Sequence, residues 1–84
     1  MSSIEFRPRW REELLAISPE GKLVFELTMG RLHVYFPDEV RWRALAPHWA
    51  KDKWQVYVEA CREWCHVEKV PISIVSDAHF SDEK

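Results

Sequence analysis

With 84 residues, 46% hydrophobic and 31% charged, the chain suits one small domain, too apolar to be disordered and too charged to lie within a membrane. Twelve basic and fourteen acidic residues leave a formal charge of −2, so no overall cationic field exists to hold a polyphosphate, and nucleic acid is not the default partner. The opening MSSIEFRPRW lacks the apolar run of a secretory signal and no stretch reaches the roughly 20 residues of a membrane span, so both cysteines are expected as free thiols in a reducing, cytoplasmic setting.

Residues 1–10 read as a loosely attached arm. From Pro8 two patterns compete. PRWREELLAI fits a helix with Trp10, Leu14 and Ile17 on one face, while residues 14–17 also fit a strand leading into a turn at SPEG, where Pro19 presets φ and Gly21 closes. The strand is preferred. In KLVFELTMGRLHVYF, Leu23, Phe25 and Leu27 alternate with polar neighbours, as do Leu32, Val34 and Phe36, which predicts a hairpin centred on Met29 and Gly30 with Leu27 opposite Leu32. Gly30 is then expected at positive φ. In that register His33 faces Glu26 as a solvated pair, and Val24 faces Tyr35 on the side of the sheet away from the helices. That second apolar surface is either covered by Ile4, Phe6 and Trp10 or open to a partner.

Downstream the period changes from two to 3.6. Asp38 is a plausible N-cap for a short helix over 39–46 that Pro47 stops, and a longer helix follows from about 48 to about 69. VPISIV reads as a last strand, and residues 77–84 as a frayed tail. The fold class expected is α+β, a small antiparallel sheet of three or four strands in the chain order β-β-β-α-α-β with two helices on one face, all within a single domain.

The long helix holds three of the five tryptophans and both cysteines in residues 49–69. At about 100° per residue its apolar side chains sweep an arc of about 200°, twice the stripe that packing on one sheet requires. The first helix, through Val40, Trp42 and Leu45, is one candidate to cover the excess. The other reading leaves a flank of Trp54, Val56, Ala60, Trp64 and Val67 exposed to bind another protein or a second copy. Cys61 and Cys65 share the apolar arc while His66 points about 100° away, so one helix cannot aim all three at a metal, and neither metal nor cofactor is expected. No nucleophile and base occur in a recognisable motif, so no catalytic residue is assigned and no enzyme is expected.

The tripeptide RWR at 9–11 and again at 41–43 suggests a nucleic-acid face of Arg7, Arg9, Arg11, Arg41 and Arg43 with Trp10 and Trp42, although Glu12, Glu13, Asp38 and Glu39 dilute its charge. The leading expectation is a protein-binding domain, an adaptor, inhibitor or toxin-neutralising partner, capable of homodimerising through its wide helix face. An RNA-binding module is the alternative, and a small-molecule enzyme the third.

Overall fold

Pro19 and Glu20 make the two-residue turn that the SPEG sequence predicts. A computed structural model, which describes residues 4–9 and 12–83, joins β2 (Glu13–Ser18) to β3 (Gly21–Thr28) there, with Ser18 opposite Gly21 and the Ser18 hydroxyl donating to the Gly21 carbonyl at 3.0 Å. Leu14, Ala16, Leu23, Phe25 and Leu27 point inward and are buried. The helical alternative for residues 8–17 is thereby displaced over its described part. Residues 5–9, expected as a loose arm, form β1 (Glu5–Arg9), paired along its length with β2 from Glu5–Ile17 to Arg9–Glu13.

β4 (His33–Pro37) completes the hairpin with β3, but two residues away from the expected register: Leu27 faces Val34, Glu26 faces Tyr35 and Thr28 faces His33. A slip of two leaves every side chain on its own face, so alternation cannot detect it. The observed register lets Phe36 stack on Phe25 with ring centroids 4.8 Å apart. Its consequence is a longer loop, in which Leu32 is exposed and Gly30 does not adopt positive φ.

Asp38 caps α1 (Glu39–Leu45), its carboxylate accepting from the Arg41 N–H at 2.8 Å. α2 (Trp54–Glu68) begins six residues later than the sequence suggests, because residues 48–53 form a corner. There the Trp42 indole donates to the Ala50 carbonyl at 2.9 Å and fixes a short 3₁₀ turn, His48–Ala50, against α1. α2 ends with Lys69 in the left-handed region at φ 59°, and the Val70 N–H reaches back to the Cys65 carbonyl at 2.9 Å, a closing turn of the Schellman kind.

The chain then lays β5 (Ile72–Val75) parallel to β4, a crossover connection through both helices. Residues 80–83, read as part of a frayed tail, form β6 (Phe80–Glu83) instead. β6 pairs with Lys22–Phe25 of β3 while β4 takes Glu26–Thr28 on the same side. Phe80 anchors it, stacked 5.0 Å from Trp42. Among the described residues the sheet thus has six strands, ordered β1-β2-β3-β4-β5 with β6 beside β3, and is mixed rather than wholly antiparallel. The α+β class with two helices on one face of the sheet is as the sequence predicts. Among the described residues no helix is long and apolar enough to cross a membrane.

Candidate functional site

α2 turns Tyr57, Val58, Cys61 and Cys65 into the core together with Ala60, which was expected on the exposed flank, and leaves Val56 and Val67 54% and 66% exposed. α1 does not cover the excess as one reading expects. Trp42 alone enters the core, while Val40 is 80% exposed and Leu45 is also exposed. The cover comes from β1: Phe6 lies 6.2 Å from the Trp64 ring, and Ile4 packs against the same core. Both were candidates to cover the opposite face. Strand parity places them here instead, since the residues of β1 that alternate with Glu5, Arg7 and Arg9 look toward α2.

The cover is partial. Ile4, Phe6, Ala60, Trp64 and Val67 enclose a groove of about 340 Å³ with Glu5 and Glu63 on its rim. Ala60, Trp64 and Val67 of the predicted flank are therefore brought together. Val56 is exposed one turn before Ala60, outside this groove, and Trp54 serves the fold, its indole N–H donating to the Pro37 carbonyl at 2.9 Å. The contributions of Ile4 and Phe6 were not assigned to this site from sequence. The hint available was the alternation Ile4, Phe6, Pro8 just ahead of a strand.

β1 is also an edge, and hydrogen-bond parity shows which of its peptide groups are free. The Leu27 N–H donates to the Glu12 carbonyl at 3.1 Å, so even-numbered positions of β2 bond toward β3. Odd-numbered ones, Glu13, Leu15 and Ile17, therefore bond to Arg9, Arg7 and Glu5 of β1. It follows that Phe6 directs its N–H and C=O outward, beside the groove, and that Pro8 directs only a carbonyl outward.

The second apolar surface is differently arranged. Val24 faces Leu15, not Tyr35, and Leu15 is nearly buried. Tyr35 stacks on His33 at 4.5 Å, and His33 shares a 2.8 Å hydrogen bond with Ser73, not a pairing with Glu26. The Arg9 guanidinium meets Glu83 through both nitrogens and Glu13 at 2.8 Å, spanning from β1 to β6 over the rows that hold Leu15 and Val24. These hydrogen bonds hold the Glu83 carboxyl below the usual carboxylate range and raise the Arg9 guanidinium. Trp10, expected as part of this surface, lies outside the described residues.

Among the described residues the structure does not gather the expected nucleic-acid face into one patch. Trp42 is fully buried, leaving no indole at 41–43 on which a base could stack. Arg7 is paired with Glu5, Arg43 bonds Glu39 at 3.0 Å, and Arg41 donates to the Ala78 carbonyl at 3.0 Å. Arg11 lies outside the described residues. Cys61 and Cys65 are buried free thiols, and the shared hydrogen bond and burial push the Cys61 thiol up. Among the described residues no group of three or more His, Cys, Asp or Glu is placed to hold a metal.

A second hollow, of about 420 Å³, lies between the β1–β2 connection and β6, with Glu12, Glu13, Glu26, His79 and Ser81 on its walls. The His79 backbone N–H donates to Glu26 at 3.3 Å. No family model matches the chain, and neither a curated protein nor a solved structure does.

Proposed function

We propose that the chain is a protein-binding domain that acts in the cytoplasm by docking rather than by catalysis, through the groove between β1 and α2. The observation that carries this reading is the juxtaposition of two unsatisfied surfaces: the apolar flank of Trp64 and Val67, with Ala60 at the floor of the groove, and the free peptide edge of β1 at Phe6. A strand laid along that edge would direct alternate side chains into the groove, so one partner segment would satisfy both the hydrogen-bonding groups and the apolar area. Trp64 suits an anchor, being large and rigid, and half-buried against Phe6 before any partner arrives. An adaptor or inhibitor of another protein needs no more than this.

The test is the native mass of the protein in extracts of cells that make it. Val67→Lys places a charge on the groove at an exposed position in the last turn of α2, where a cation suits the helix dipole and the fold is retained. The wild type is expected in a species larger than 10.1 kDa, and the variant at monomer mass. Identical masses for the two would refute docking at this surface.

A further inference from the structure

We propose that the occupant of the β1 edge is a second copy of the chain, paired antiparallel through β1 with Phe6 opposite the partner's Phe6 on a twofold axis. This names the partner for the surface described above and rests on that reading.

The register follows from charge. Because the even positions of β1 carry the outward hydrogen-bonding groups, an antiparallel partner must place even residues opposite even residues. With Phe6 on the axis, Glu5 stands opposite the partner's Arg7 and Arg7 opposite the partner's Glu5. The two neighbouring registers that keep the same faces fail this condition. One sets Glu5 against the partner's Glu5, and the other sets Arg7 against the partner's Arg7 and leaves Glu5 facing the partner's Arg9, a guanidinium already held by its own Glu83 and Glu13. The short sequence Glu5-Phe6-Arg7 is thus self-complementary in one arrangement and self-repelling in the alternatives. β5, the other outer strand of the sheet order, carries no charge in Ile72–Val75 to select a register.

Pro8 supports the same arrangement. In this pairing Phe6 and the partner's Phe6 exchange two N–H···O bonds, while Pro8 falls opposite the partner's Ile4 at the end of the ladder. In the register that puts Pro8 opposite the partner's Phe6, each of the two symmetry-related Phe6–Pro8 pairs makes one bond instead of two for want of a donor.

Area requires the helices as well. A five-residue strand edge offers about 17 Å by about 10 Å, far below the roughly 600 Å² each partner contributes to a stable dimer. Extending the sheet across the axis brings the two α2 flanks onto the same side, where the exposed Val67 and the half-buried Trp64 and Ile4 add apolar area to the strand edge. Closed point symmetry buries the same patch on both copies and leaves no open end for polymerisation.

Sedimentation equilibrium of the purified full chain at micromolar concentrations tests this. The wild type is expected at twice 10.1 kDa. Glu5→Arg and Arg7→Glu each set like charges opposite one another at two places in the dimer and should weaken it about tenfold, while the double variant restores the complementarity and the affinity. Circular dichroism confirms that all four proteins fold, which is expected for substitutions at exposed positions. A wild type that stays monomeric overturns the second copy as occupant, yet leaves the extract experiment free to reveal a different protein at the same groove. A dimer indifferent to either single substitution, or a double variant as weak as the singles, overturns the register and with it the proposal.

Discussion

Replacing Gly21 by alanine tests how the β2–β3 turn is locked to the helical layer. Gly21 does not have positive φ, so the backbone itself accepts an L side chain, and a stiffer unfolded chain would favour alanine by about 0.4 to 1 kcal/mol. The obstacle is Trp49, whose Cζ2 would lie 2.6 Å from the new Cβ, with Cε2 and Cη2 both at 3.0 Å. An indole is rigid, and this one packs against the core, so relief requires displacing the whole ring and with it the 3₁₀ turn that carries it. Overpacking of this kind costs about 1 to 3 kcal/mol. The net loss should be about 1 to 2 kcal/mol, or a Tm lower by roughly 5 to 15 °C in a domain of this size. Thermal unfolding followed by circular dichroism is the assay, with Gly30→Ala as control. A Cβ at Gly30 meets no heavy atom within 4 Å, and its φ is not positive, so that change should be neutral or stabilising. In a Trp49→Ala background the Gly21→Ala penalty should vanish. A Gly21→Ala protein as stable as the wild type would refute the close approach of Trp49 and the inference that glycine is there to admit it.

Lys69→Gly should raise stability by about 0.5 to 1 kcal/mol, measured by urea unfolding, since Lys69 holds the left-handed cap of α2 at φ 59° where glycine has no Cβ penalty. Glu83→Gln should be destabilising at neutral pH and lose its effect in acid. The Glu83 carboxyl is held below the usual range near 4.3 by Arg9, so its contribution is complete above that value and disappears as pH falls through the lower folded value. The stability gap between the two proteins should therefore shrink progressively as pH falls below the usual carboxylate range; an unchanging gap would show that Glu83 acts through packing and not through its charge.

Much of the fold is written in short-range pattern. Pro19 and Gly21 bound a turn, Asp38 followed by a run of helix formers starts α1, and the arcs of α2 separate Cys61 and Cys65 from Glu59 and Arg62 as helical geometry requires. What escaped has a common physical cause, namely that it is decided by contacts distant in sequence. The β3–β4 register depends on Phe36 meeting Phe25, a choice between two arrangements with identical alternation. β6 depends on Phe80 reaching Trp42 and Phe25 across more than thirty residues of chain, whereas its own segment, FSDE, has little β propensity. The candidate site shows the same division. Helical geometry alone placed Ala60, Trp64 and Val67 on one flank, but only the pairing of β1 with β2 could bring Ile4 and Phe6 beneath them.

The tryptophans indicate why this flank, rather than another, suits a partner. Trp42 is sealed in the core with its N–H given to Ala50, Trp54 gives its N–H to Pro37, and Trp49 fills the space above Gly21. Each of these joins one part of the domain to another. Trp64 meets Phe6 of the outermost strand, where the sheet order ends, and Val67 in the last turn of α2 is exposed. An edge so placed is a hazard if it accepts any strand, and Pro8 limits the hazard by removing one donor towards its end. What remains is a short ladder at Phe6, too small to bind an arbitrary strand tightly, beside an apolar groove that a matching surface could fill. A protected edge beside an unprotected groove favours a partner that engages both, and that double requirement is a physical basis for specificity in a chain of this size.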